Sequence, residues 1–298
     1  MTGGALLVVG DVVTDVVARH GRPLVHGTDT VARISTLPGG AGANVACWAV
    51  RSGCQDVRLL ARVGTDSAGW HEDVLRRAGV RPLLAVDDEA PTATVVALVD
   101  STAERTFLTD SGAVLRLAPD NWSPSMLDGI AHLHVSGYLL FAATSRATAL
   151  LALREARRRA IPASVDPASA GFLAELGVGP FLAAVEGTEL LLPNADEARL
   201  LTGLPETADA AAKLSLLVPK VVVTLGEEGA LLATGGTVTG RVPAVPVHGA
   251  VDSTGAGDAF TGGFLAAWLA GADDATAAAA GCRSGAEAVT TVGGRPGM

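Results

Sequence analysis

The chain is divided by short apolar runs, each stopping at a polar or glycine-containing turn. Ala5 to Val9 reads ALLVV and ends at Gly10-Asp11, and Val57 to Val63, Ala131 to Val135, Ile161 to Val165, Glu189 to Leu192 and Lys220 to Thr224 have the same character. Runs this short that lack polar alternation fit strands buried on both faces. Helical stretches lie between them: Asn44 to Arg51, Ser145 to Arg159, Ala195 to Leu201, Thr207 to Leu217 and Gly257 to Ala270. The second of these carries Arg154, Arg157, Arg158 and Arg159 on its late turns, where cations offset the helix dipole. Strands alternating with helices predict an α/β fold of three layers, α/β/α, with a mainly parallel central sheet.

Two segments break this rhythm. Val16 to Leu37 and Thr92 to Thr109 are rich in Val and Thr and partly alternate. The second reads as a hairpin, Thr94 to Val99 and Arg105 to Leu108 around the polar turn Asp100 to Glu104. A hairpin inserted in such a chain serves as a small β-lid, as an oligomer contact, or as an edge with no further role. Pro and Gly are spread along the sequence, so residues 1–298 read as a single domain with the lid inserted at 16–37 and 92–109.

The apolar content is mostly Ala, Val and Leu; aromatics are 4% of the residues, so the layers must pack through small aliphatic side chains. The formal net charge is -9 and no basic stripe is visible, which argues against a nucleic-acid or membrane-surface partner. Cys47, Cys54 and Cys282 are odd in number and lack metal-ligand spacing, compatible with a reducing cytoplasm. No signal peptide and no apolar stretch of the ~20 residues a membrane span needs can be recognised.

The chemistry concentrates in Asp252-Ser253-Thr254-Gly255-Ala256-Gly257-Asp258. Phe260, Phe264, Ala267 and Trp268 follow at helical spacing, so a helix starts near Gly255 or Gly257. Small residues at a helix start let a ligand approach the unpaired N–H groups of the first turn, an arrangement suited to phosphate. Asp258 in that turn either takes a proton from an attacking hydroxyl or merely caps the helix. The motif is not GxxxxGK[ST], for no Lys follows, nor the GxGxxG turn of dinucleotide sites.

Gly39 to Asn44 (GGAGAN) and the DSTGAGD motif together resemble the two signatures of the PfkB, or ribokinase-like, carbohydrate kinases, in the right order and at the right separation. The resemblance implies a ribokinase-like fold and transfer of the γ-phosphate of ATP to an alcohol. It implies Asp258 as base, with Gly255, Ala256 and Gly257 as the anion hole. It implies Asp15, and less directly Asp11, as sugar-binding carboxylates beside Gly39, Gly40 and Asn44, although either aspartate, Asp11 above all, also fits a turn residue capping the strand end and Asn44 also fits an N-cap. Asn194 and Glu197 match the NxxE motif that organises Mg²⁺ through water, and also fit a capping arrangement. Thr224, Gly226 and Gly229 match a nucleotide loop. Cys282 lies where the C-terminal helix of such kinases passes the adenine, and equally fits a core thiol. Asp252 and Thr254 resemble positions beside a monovalent-cation site, so K⁺ joins ATP and Mg²⁺ among the expected cofactors. Arg105, in the lid, either clamps an anionic substrate or pairs with Glu104 or Asp110. A homodimer through the lid is a further implication.

The acceptor class stays open. Tyr138 follows an expected strand and is placed to line the pocket, but the Glu of a ribokinase is missing nearby. A sugar or sugar acid is the leading reading, with a nucleoside as the alternative; the scarcity of aromatics counts mildly against the latter.

Overall fold

The computed structural model describes residues 4–101 and 105–297, with the side chain of Arg105 also outside the described set. In chain order the elements are β1 (Ala5–Val9), β2 (Val13–His20), β3 (Ala32–Gly39), α1 (Ala41–Arg51), β4 (Val57–Gly64), α2 (Ala68–Arg77), β5 (Arg81–Asp87), β6 (Ala93–Val99), β7 (Arg105–Asp110), β8 (Ile130–Ser136), α3 (Ala143–Arg158) and β9 (Ala163–Asp166). There follow α4 (Ala170–Leu176), α5 (Val178–Ala184), β10 (Leu190–Leu191), α6 (Ala195–Thr202), α7 (Thr207–Leu214), β11 (Lys220–Thr224), β12 (Ala230–Thr234), β13 (Thr237–Val242), α8 (Ala256–Leu269) and α9 (Asp274–Ala288).

Nine strands form the central sheet in the order β13-β12-β11-β10-β9-β8-β1-β4-β5. The pairs from β11 to β5 are parallel, and only β12 and β13 run antiparallel at one edge. The ALLVV run explains the layering. Leu6 and Val8 join a core with residues of α1, α8 and α9, while Leu7 and Val9 join a second core with residues of α3, α5 and α6. A strand buried on both faces has no solvent side to mark with polar residues, which is why its sequence does not alternate. Among the described residues no helix is long and apolar enough to cross a membrane.

Four strands, in the order β3-β2-β6-β7, make a separate small sheet. Its bounds differ from the expected lid segments: β2 begins at Val13, β3 runs to Gly39 and β7 to Asp110, while residues 21–31 between β2 and β3 form no strand. The turn at 102–104, including Glu104, lies outside the described residues.

Several boundaries move for local reasons. The strand expected from Ile161 starts at Ala163, since Pro162 has no N–H to give a ladder. The helix expected to reach Leu217 ends at Leu214, where the Ser215 hydroxyl donates to the Ala212 carbonyl at 2.8 Å. The helix expected from Asn44 begins at Ala41, and Asn44 therefore sits inside α1 and caps nothing.

Candidate active site

The C-terminal ends of β1, β8, β9, β10 and β11 open onto one cleft of about 540 Å³, covered on one side by the small sheet. Ligands in open α/β sheets bind at such strand ends. One face of the small sheet supplies Val13, Asp15 and Val17 of β2, Val95 and Ala97 of β6, and Phe107 of β7. The register places Asp15 opposite Val95 and Ala97 opposite Phe107. The period of two thus turns a single row from each strand toward the cleft.

Asp258 stands in the first turn of α8, half-buried in the cleft wall. Asn44 reaches across from α1 and donates from Nδ2 to Asp258 Oδ2 at 2.7 Å. Asp258 does not cap its helix: the N-cap is Gly255, and no side chain bonds there. Gly255 has φ 73°, and a Cβ on it would stand 2.5 Å from the Gly294 backbone, so the turn accepts only glycine. Burial raises the Asp258 carboxyl well above its usual range; the Asn44 amide opposes this, and Asp166, Asp11 and Asp15 add to it. A carboxylate so raised is a stronger base once ionised.

Asp15 lines the cleft, with its carboxyl pushed up to about 7 by burial; Arg295 pulls it down and Asp11 and Asp252 push it up. Arg295 is itself buried and donates from Nη2 to the Gly39 carbonyl at 2.8 Å. Gly39 leaves the space in which the Asp15 carboxyl sits, for a Cβ there would meet Asp15 Oδ2 at 2.2 Å. Gly40 has φ 96° and begins α1, where a Cβ would meet the Asp11 carbonyl at 2.6 Å.

Asp11 borders the cleft, but its carboxylate is committed elsewhere. Oδ2 accepts the Ala41 N–H at 2.7 Å, and Oδ1 accepts the Gly42 N–H at 3.1 Å and the Ser136 hydroxyl at 2.9 Å. It anchors the α1 N-terminus from the border of the cleft, as the capping alternative for this residue has it.

At the other end of the cleft, Asn194 caps α6. Its Oδ1 accepts the Glu197 N–H, and Glu197 Oε2 accepts the Asn194 N–H, both at 2.9 Å. The capping reading of this pair therefore holds in detail. Asp166, at the end of β9, was not singled out from sequence; its signal was the polar residue ending an apolar run, as at Asp11. Burial raises Asp166 to about 6, with Ala168 N–H and Thr261 opposing. Burial raises Glu197 to about 8, helped by Asp166. These oxygen donors suit Mg²⁺, since neighbouring carboxyls that resist ionising together gain most from a cation between them.

Thr224 lines the cleft. Gly226 and Gly229 do not: they form the turn from β11 to β12, where Leu225 N–H bonds the Gly229 carbonyl at 2.8 Å. For Cys282 the sequence left two readings open. It is buried in the α9 core with Phe260 and Phe264 and does not reach the cleft, so the core-thiol alternative is the one realised. Asp252 is buried, accepting the Thr254 N–H at 2.8 Å and the Gly293 N–H at 3.1 Å, and Thr254 lines the cleft beside it. Tyr138 also lines the cleft, its phenol pushed above its usual range by burial and by Asp11, Asp258, Asp166 and Glu197. Arg105 is placed only as the first residue of β7, since its side chain lies outside the described set.

A family model of pfkB carbohydrate kinases matches residues 5–298. The chain belongs to the pfkB family of carbohydrate kinases. It is thus an ATP-dependent phosphotransferase with an alcohol group of a carbohydrate as acceptor. A fructokinase of Klebsiella pneumoniae is 32% identical over 279 residues, spanning 88% of this chain and 84% of its own. A Thermotoga maritima ribokinase structure has 25% identity and a TM-score of 0.82, covering 97% of this chain and 94% of its own. A Sinorhizobium meliloti adenosine kinase structure superposes at TM-score 0.89 with 21% identity, covering 99% of this chain and 96% of its own. The last shares the pfkB fold.

The raised carboxyls make a stability prediction for this kinase in its free form. A carboxyl raised above its unfolded value of ~4 stabilises the fold while protonated, and that contribution is lost as pH rises through the folded value. For Asp166, Asp15 and Glu197 the loss begins near the unfolded value and is complete at about 6, about 7 and about 8, so above pH 6.5 it belongs to Asp15 and Glu197. His132 and His134 are pushed down to about 3 by burial, so their penalty falls below the unfolded histidine value and does not oppose this window. The thermal midpoint is expected to fall between pH 6.5 and pH 9, and millimolar Mg²⁺ is expected to reduce the fall. A flat midpoint in differential scanning calorimetry over that range would contradict the carboxyl assignment.

Proposed function

We propose that the protein transfers the γ-phosphoryl group of ATP to a sugar hydroxyl, with Asp258 as the base. The observation that supports this best is the Asn44-held carboxyl at the glycine-flanked start of α8, in the same cleft as Asp15. The acceptor oxygen bonds to Pγ while the bond from Pγ to the β–γ bridging oxygen breaks. ADP leaves with that electron pair, and the hydroxyl proton passes to Asp258. The N–H groups of Gly255 and Gly257 would face the charge that gathers on the phosphoryl oxygens, while that of Ala256 bonds the Ser253 carbonyl at 3.3 Å and holds the turn in place. Asp15 accepts from neighbouring sugar hydroxyls. Asn44 Oδ1, buried without a partner, is free to accept one more. Thr224 borders the nucleotide end.

Asn194, Glu197 and Asp166 would hold Mg²⁺, largely through its waters. Bound there with ATP, the ion would neutralise phosphate charge. Asp252 and Thr254 belong to a turn suited to a monovalent cation such as K⁺. The small sheet acts as a lid that excludes water once the acceptor binds. ADP release with ATP, Mg²⁺ and a panel of carbohydrates and nucleosides tests the reading: acceptor-dependent ADP formation is expected, and a panel with none would end it.

The outward row of the lid is apolar as well, with Ile34 and Leu108 exposed at 66% and 59%. A sheet face and edge of this kind call for cover. We propose that a second copy provides it. Light scattering at micromolar concentration is expected to give twice the chain mass, and a monomer would count against the pairing. The three described cysteines are free and buried, which suits work in the reducing cytoplasm.

A further inference from the structure

Several of the scarce aromatic residues are gathered in one place. Tyr138, Phe141, Phe172 and Phe107 all line the cleft, four of the seven Phe and Tyr residues in the sequence. Phe141 and Phe172 stack with centroids 5.0 Å apart at 21°, and Tyr138 meets both edge-on at 6.1 Å and 5.8 Å. None of these three is closed off in the core; each keeps surface toward the cleft. Val17, Val95 and Ala97 of the lid continue the apolar lining. The charged lining is all of one sign: Asp11, Asp15, Asp166, Glu197, Asp252 and Asp258, with no Lys, Arg or His among the described lining residues.

We propose that the acceptor is an uncharged sugar carrying a flat unsaturated ring, the chemical class of a nucleoside, with the ring against Tyr138, Phe141 and Phe172 and the sugar between Asp15 and Asp258. The proposal rests on the phosphotransfer reading above. A free monosaccharide can lay one C–H face on a ring but leaves the rest of three partly exposed aromatic rings uncovered, and leaving such a surface wet forgoes the burial that drives binding. A sugar acid or sugar phosphate would bring an anion among these carboxylates. Position in the sheet assigns the rings to the acceptor half. Tyr138 and Phe141 follow β8, the neighbour of β1, and Phe107 belongs to the lid that carries Asp15. Asn194 and Thr224 follow β10 and β11, farther along the sheet.

The test measures kcat/KM with ATP and Mg²⁺ for ribose, fructose, a sugar acid, a sugar phosphate and a set of purine and pyrimidine nucleosides, in the native protein and in Phe141→Ala and Phe172→Leu. At least one nucleoside is expected to exceed ribose by about 100-fold, and the truncation to lower its value by roughly 10- to 100-fold, as for lost base stacking. Phe172→Leu keeps apolar bulk without a flat face and is expected to show a smaller loss. A free sugar, sugar acid or sugar phosphate as best acceptor overturns the proposal while leaving the phosphotransfer reading intact. No turnover of any acceptor removes that reading and the proposal with it. Calorimetric MgADP affinity is expected to be unchanged in both variants; a weakened affinity would place the adenine of ATP on these rings and overturn the proposal.

Discussion

Asp258→Asn is expected to lower kcat by about 10²- to 10⁴-fold, the range for a lost general base, while raising the thermal midpoint of the free protein. Both effects have one origin. Burial, with Asp166, Asp11 and Asp15 adding to it, makes ionisation of Asp258 costly, and only the Asn44 amide opposes this. An amide of the same shape can still accept from Asn44 but cannot take a proton, so the fold is relieved and the chemistry lost. A site that holds a charge its surroundings resist is less stable than its inactive variant. The rising limb of kcat/KM with pH should disappear in the variant as well. Turnover within tenfold of the native enzyme would exclude Asp258 as the base, whatever the melting data show.

The second large effect is on folding. Asp11→Ala is expected to cost about 3–5 kcal/mol, because it strands several buried donors at once. Ala41 N–H, Gly42 N–H and the Ser136 hydroxyl all bond its carboxylate. Neighbouring structure cannot close up to replace it, for the backbones of Gly10 and Gly42 already touch: a Cβ on Gly10 would stand 2.7 Å from the Gly42 Cα. Urea denaturation measures the loss. A change below ~1 kcal/mol together with a large rise in the acceptor KM would return Asp11 to the role of direct sugar ligand.

These two aspartates show what could be read before the structure. Asp258 was legible because its context is local: a glycine-rich turn, a helix with apolar periodicity and a carboxylate in the first turn all lie within a few residues. Asp15 and Asn44 were legible by resemblance, though the bond between Asn44 and Asp258 joins residues 214 apart and nothing in either segment announces it. Asp11 was placed at the site with two tasks open, since a carboxylate at a strand end looks the same whether it faces a ligand or a helix, and its bonds to α1 became visible only in the fold. Arg295 was not seen at all: it is one arginine in a glycine-rich stretch, and its importance comes from the carbonyl of Gly39 and the carboxyl of Asp15 packed beside it. Cys282 was offered as an adenine neighbour, but a thiol fills a gap in an aliphatic core as readily as it meets a ligand. The aromatic wall was hidden by composition. A low total says little about binding when about a third of it converges on one surface, and Phe107, Tyr138 and Phe172 are brought together only by the fold.

The stretch from Gly293 to Arg295 also sets an order in time. Gly293 holds Asp252, the Gly294 carbonyl accepts the indole N–H of Trp48 at 3.0 Å, and Arg295 holds the Gly39 carbonyl. The last two contacts span 246 and 256 residues of sequence. On a ribosome, every strand of both sheets would have emerged before this stretch, and loops that long close late. A nascent chain halted short of Gly293 would possess the sheet, the lid and both signature motifs, yet the glycine turn beside Asp258 and the loop beneath Asp15 would lack the segment that ties them together. Catalytic competence would then wait until this stretch is made and docked.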